Sequence, residues 1–214
     1  MEQTVLILIY IHAFFGAIAL VSGLISIIGK KGRFYHKKAG IVFSITMLIS
    51  AAIAIPITLL PNHENLLLHL LSIFTIYLVV SGNRVLRFKK NHILGITDIL
   101  ITSVMGVVFI GMVAVGIHHR LQEIPKSTLF LFFGGFGIMA SIRDIKLYKT
   151  FKTNPTAYLS NHIGKMSGAY GAAVTAFLLA ALNSSTLWVW LTPSAITLLF
   201  VIYWRRKISK KKRV

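Results

Sequence analysis

The chain has no cysteine. That excludes disulfides, cysteine-ligated iron–sulfur clusters, thiolate zinc sites and cysteine nucleophiles. Charge is scarce: charged residues make up 13% of the 214, against about 25% in soluble domains. Acidic charge is scarcer still, with five Asp and Glu against 23 Lys and Arg. The resulting net charge of +18 would suggest nucleic acid in a soluble protein. Here the basic residues sit in short loops between long apolar runs, which is the pattern of membrane loops. No secretory signal peptide is expected, because Glu2 and no basic residue precede the first apolar run. No predicted helix is broken at its centre by Gly or Pro, the mark of a midplane substrate site in transporters.

What is abundant is apolar sequence, 56% of the chain. A helix that spans a bilayer needs about 20 mainly apolar residues. Seven runs meet that length: residues 4–28, 39–60, 65–86, 93–117, 127–147, 160–182 and 186–204. The fifth is the weakest, because it ends in Arg143 and Asp144. Apart from Arg120, Lys126 and Lys165, every basic residue falls in one of four segments: 29–38, 84–92, 143–159 and the C-terminus. Seven spans place all four on one side, so the N-terminus is expected outside and the C-terminus in the cytoplasm. The expected organisation is a seven-helix transmembrane domain over 1–204 and a basic cytoplasmic tail over 205–214. The tail is an orientation anchor that attracts anionic lipid, at about 1 kcal/mol per charge.

Residues 12–45 and 69–96 follow one plan. The first has His12, Val21-Ser22-Gly23, a basic turn with His36, and Ala39-Gly40-Ile41. The second has His69, Val80-Ser81-Gly82, basic residues Arg84 to Lys90, His92, and Leu94-Gly95-Ile96. His36, His92 and His162 each stand near the basic-side start of an even-numbered helix. His12 and His69 lie roughly 12 and 6 Å inside the opposite surface. His12, Gly16, Ala19 and Gly23 share one face of the first helix, and Gly164, Gly168 and Ala172 form a ridge on the sixth. Small-residue faces let membrane helices approach closely. Ionisable groups inside a bilayer face the protein interior or water. Asp98 therefore needs a partner, for which Lys165 and the nearby basic loop residues are the candidates.

Three chemistries fit the histidines. Imidazoles on neighbouring helices ligate haem b, with His12 and His69 serving an outer haem and two of His36, His92 and His162 an inner one. Met166, one turn after His162, is an alternative ligand. Electrons would then pass to or from a quinone or another redox partner. Alternatively, His36, His92 and His162 bind zinc with one open position, and Asp98 acts as base or fourth ligand of an intramembrane hydrolase. In the third reading the buried polar residues line a path for protons or a small solute. An accessory role without any cofactor is the broader alternative.

At His12-x-x-x-Gly16, Lys31-Gly32-x-x-x-His36-x-x-x-Gly40 and His162-x-x-x-Met166 the chain resembles a family of small bacterial multi-pass membrane proteins, domain of unknown function 2306. The resemblance covers nearly the whole chain. It implies a multi-pass topology in the bacterial inner membrane and importance for His12, His36 and His162, and it supplies no activity. In layout the chain is distantly similar to cytochrome b561-type membrane haem proteins, which pair histidines on core helices. It also resembles the progestin-and-adiponectin-receptor and alkaline ceramidase group of zinc-dependent membrane hydrolases. Their paired histidine motif near the last span has no counterpart here, because His162 stands alone in its helix. The expectation is thus an all-α, seven-span membrane protein, with haem b the leading specific chemistry and nucleic acid excluded as a partner.

Overall fold

The computed structural model describes residues 2–89, 94–124, 126–154, 156–183 and 186–210. Among them there are seven long α-helices and no strand. Inside lipid each backbone donor and acceptor must be paired within the protein, and a long apolar run does this as a helix. All seven are long and apolar enough to cross a membrane. They contain 19 to 27 residues, or roughly 28–40 Å at 1.5 Å per residue.

The helices α1 (Glu2–Ile28) and α2 (Phe34–Ile57) form one hairpin, and α4 (Ile96–Leu121) and α5 (Ser127–Thr150) a second. A third joins α6 (Ala157–Leu182) to α7 (Leu187–Lys210). Between them stands α3 (Leu66–Arg84), which continues into a 3₁₀ turn, Val85–Lys89, and packs on α2, α4, α5 and α6. Helix α6 also meets α1 and α5, so α3 and α6 form the centre. The core is a layer of Phe74, Tyr77, Phe109, Met112, Phe130 and Phe133, with Phe74 and Phe109 edge to face at 4.8 Å. Large apolar side chains on the outside, such as Val107 and Leu199, are exposed. A surface this apolar belongs against lipid.

The expected small-residue faces pack as close helix contacts. A Cβ at Gly23 would lie 2.4 Å from Tyr170 on α6, and one at Gly171 would lie 2.5 Å from Thr197 on α7. Ala19, between the glycines of α1, is fully buried. The ends of the helices differ from the apolar runs. Helix α2 begins at Phe34, after an extended Arg33, so His36, Lys37 and Lys38 ride on its first turns. Helix α7 continues to Lys210, which makes much of the expected basic tail helical. Backbone hydrogen bonding does not stop where hydropathy does.

Candidate ligand cavity and its ionic core

The turn between α1 and α2 is built to hold His36. Gly32 sits at φ 79°, a left-handed conformation that favours glycine. Lys31 folds back and its Nζ donates to the carbonyls of Ile27 and, at 3.2 Å, Ser26, closing the C-terminus of α1. His36 Nδ1 lies 2.9 Å from the Ser26 carbonyl, and a Cβ at Gly40 would rest 3.4 Å from Ser26 Oγ. Lys31, Gly32, His36 and Gly40 thus all serve one junction with the end of α1. Burial lowers the Lys31 pKa below the usual lysine value. Its ammonium also sits 5.2 Å from the Trp204 ring and 5.8 Å from that of Phe200, which ties the turn to α7.

A carbonyl oxygen can only accept, so the bond to Ser26 places the proton of a neutral His36 on Nδ1 and leaves the Nε2 lone pair free. His162 is held the same way, with Nδ1 donating to the Gly82 carbonyl of α3 at 2.7 Å. The two imidazoles thus adopt the same tautomer. Both line a cavity of about 520 Å³ at the basic end, between the α1–α2 and α6–α7 hairpins and the end of α3. Its walls are largely apolar and aromatic, including Phe43, Tyr170, Phe200 and Trp204, and Met166 lines it beside His162. Lys31, Lys37 and Lys89 also line it, and among the described residues no lining residue is acidic. Apolar walls with a few convergent polar groups are the usual form of a small-molecule site.

The other predicted site residues lie apart from this cavity. His12 Nδ1 donates to the Ser50 carbonyl of α2 at 2.9 Å. Its Cα is about 16 Å along α1 from Gly23, the nearest cavity residue on that helix. His69 Nδ1 meets Thr58 Oγ1 at 3.1 Å. Ser50 and Thr58 stand about 12 Å apart along α2, so the structure does not bring His12 and His69 together as an outer pair. His92 lies outside the described residues. Asp98 is occupied elsewhere: Arg84 Nε meets its Oδ1 at 2.7 Å, Arg87 Nη2 meets its Oδ2 at 3.2 Å, and Oδ2 also caps the Gly95 N–H. Among the described residues no three His, Asp or Glu side chains gather closely enough to hold a metal ion. The partner of Asp98 is therefore a pair of nearby basic residues and not Lys165.

Lys165 instead pairs with Asp144, the residue that made the fifth span look weak. Its Nζ is 2.6 Å from Asp144 Oδ2, and the two side chains are 3% and 0% exposed. The Tyr77 hydroxyl at 2.7 Å, Thr102 Oγ1 at 3.2 Å and Asn161 Nδ2 at 2.9 Å complete the carboxylate's donors. The Tyr148 hydroxyl donates to the Asp98 carbonyl at 3.0 Å, and Thr102 Oγ1 shares its one proton between Asp144 and the Tyr148 oxygen at 2.8 Å, so one network joins α3, α4, α5 and α6. Asp98 and Thr102, Asp144 and Tyr148, and Asn161 and Lys165 are each four apart, hence on one helix face. That spacing is the sequence signal that finds the network.

Comparison with protein-family models, curated proteins and solved structures gives no match for this chain.

Proposed function

We propose that this membrane protein, with its N-terminus outside and its basic end in the cytoplasm, binds haem b in the basic-end cavity. His36 and His162 would hold it, and bound haem would supply one-electron redox chemistry there. One observation carries the reading: each ring gives its Nδ1 proton to a backbone carbonyl and keeps Nε2 for a ligand beside the same cavity. Hydrogen bonding of the far ring nitrogen to a carbonyl fixes the tautomer and ring orientation that metal ligation needs. The apolar and aromatic walls suit a flat macrocycle. Lys37 and Lys89 suit its acidic groups. Met166 is a second ligand candidate on the same wall. A quinone or a redox protein is the partner that would use that chemistry. Kinship with the domain of unknown function 2306 family is proposed on the same His36 and His162 motifs. The zinc reading loses support from Asp98, whose oxygens are taken by arginines.

The test is an absorption spectrum of the purified protein, oxidised and then dithionite-reduced, after expression with ample haem. A Soret band that sharpens on reduction is expected. It should be lost in His36→Ala and His162→Ala and kept in His12→Ala. A clean spectrum, with haem supply confirmed by a control cytochrome, overturns the reading. The cavity would then belong to an acidic amphiphile carried or held by an accessory protein.

A further inference from the structure

The cavity has walls on α1, α2, α3, α6 and α7, and two of these helices do not meet. Among the described residues α1 packs on α2 and α6, and α7 on α6, but no close packing joins α1 to α7. Ser26 and Ile27 line the cavity from α1, and Phe200 and Trp204 line it from α7. The cavity therefore lies in the gap between these two helices. Ile28 and Tyr203, next in sequence to wall residues on either side, are 76% and 57% exposed. Apolar and aromatic side chains exposed at the end of a membrane helix sit against lipid and its head groups. Lys31 crosses the gap. Its ammonium lies 5.2 Å from the Trp204 ring and 5.8 Å from that of Phe200. The same ammonium donates to the carbonyls of Ile27 and Ser26 on α1.

The seam between α1 and α7 is thus closed by a side chain on two rings and not by packed helices. Each cation–π contact is weak, and leaving the rings requires no break in helix packing. Gly32, the next residue, has open space around it, since a Cβ there would meet nothing within 4 Å. The walls behind the seam are largely apolar and aromatic, and Lys37 and Lys89 also line them. Such a site suits an apolar body with an acidic group, a compound that dissolves in a lipid leaflet. We propose that the gap between α1 and α7 is a lateral entrance from the basic-side leaflet, that Lys31 on Phe200 and Trp204 is its latch, and that it admits an acidic amphiphile from lipid. The inference rests on the reading of this cavity as a ligand site, and haem, flat and apolar with acidic groups, is one member of the class.

The test uses the full-length protein in phosphatidylcholine vesicles and has an arm that needs no haem. The chain has no cysteine, so Ile163→Cys puts a single thiol on the α6 wall. It is labelled with N-ethylmaleimide, which enters lipid, or with a sulfonate-bearing thiosulfonate, which does not, each rate taken relative to the unfolded protein. Lys31→Met removes both ring contacts and should speed maleimide labelling about tenfold. Trp204→Leu removes one and leaves the end of α1 capped. It should speed labelling about threefold, and it serves if Lys31→Met fails to fold. Lys38→Met removes a similar contact outside the cavity, 5.9 Å from the Phe34 ring, and should change nothing. Oleate should protect the wild-type thiol better than oleyl alcohol does. In the second arm, haem-loaded protein gives up its haem to aqueous apomyoglobin, and the same variants should release it faster by the same factors. A wild type that binds no haem removes the haem reading, and the thiol arm then judges the entrance alone. The proposal is overturned if neither latch variant labels faster than wild type, or if Lys38→Met matches Lys31→Met. It is equally overturned if the sulfonate reagent reaches the wild-type thiol as readily as the maleimide, which puts the mouth in water, or if oleyl alcohol protects as well as oleate. Where haem binds, release from Lys31→Met at the wild-type rate overturns it too.

Discussion

Replacing Lys165 with Met leaves the Asp144 carboxylate, 0% exposed, without its counter-charge. Removing one partner of a buried ion pair costs about 3–5 kcal/mol. Tyr77, Thr102 and Asn161 still donate to Asp144 after the change. Each such bond to a charged group is worth about 1.5–3 kcal/mol, so Lys165→Met belongs at the low end, about 3 kcal/mol. Asp144→Asn is the harsher variant. The Lys165 ammonium then keeps an amide and the Tyr77 ring at 4.9 Å, and the amide nitrogen opposes donors on its own side. About 4–5 kcal/mol is expected, a large part of a typical stability of about 5–15 kcal/mol. The double variant Asp144→Asn/Lys165→Met removes both charges but leaves the Tyr77 hydroxyl and the Asn161 amide competing for one amide oxygen, at about 1–3 kcal/mol each. It should cost less than the two singles together, by about 3 kcal/mol of coupling. Reversible unfolding in mixed micelles, followed by tryptophan fluorescence, measures all of these. Singles that add without coupling, or a Lys165→Met cost below about 1 kcal/mol, would show that the pair is not the desolvated contact its burial implies.

Other variants probe the packing and the site. A Cβ at Gly137 would lie 2.2 Å from the fully buried Phe109 ring. Gly137→Ala should therefore destabilise by about 1–3 kcal/mol in the same assay. Gly135→Ala, which meets nothing within 4 Å, should be neutral or gain up to about 1 kcal/mol from helix propensity. Gly23→Ala forces Tyr170 to move, and Tyr170 is a wall of the cavity. Haem occupancy, read from the Soret absorbance per protein, should fall while the helical circular dichroism is unchanged. Arg84→Gln should cost about 2–3 kcal/mol in the unfolding assay, because it uncovers the buried Asp98. Arg87→Gln should cost under about 1 kcal/mol, since Arg87 is 55% exposed.

The seven spans are legible in the sequence because lipid leaves a chain one local solution, and run length alone reveals it. The packing faces of α1 and α6 are legible for a similar reason: glycine spacing at three and four residues is itself the contact surface. His36 and His162 were both candidates, and the structure assigns them to one cavity. Their pairing is not legible, because it depends on how two hairpins far apart in sequence meet across α3. The proposed outer pair shows the limit. His12 and His69 occupy equivalent places in two repeats, but each bonds a different level of α2. By hydropathy Asp144 marks a weak end of a span, because a carboxylate counts as a cost wherever it lies. Its partner is 21 residues away on the next helix, and only the four-residue pairing of Asn161 with Lys165 hints at that face.

Helix α6 connects the ionic core to the cavity. Asn161 and Lys165 face Asp144, while His162 and Met166, each one residue further and about 100° round, face the cavity. Gly82 of α3 is where the two faces meet. Its carbonyl accepts from His162, and a Cβ on it would lie 3.0 Å from both Lys165 Cβ and Met166 Sδ. The rotation of α6 that satisfies Asp144 is thus the rotation that sets His162 on the cavity wall. Lys165 and Asp144 do not line the cavity, so loss of their pair reaches it through α6, which carries both Lys165 and the wall residues His162 and Met166. Lys165→Met should accordingly change the absorption spectrum or reduction potential of a bound haem, where Arg87→Gln leaves both unaltered. A Lys165→Met protein that is less stable but spectrally identical to wild type would separate the two faces and confine the ion pair to folding.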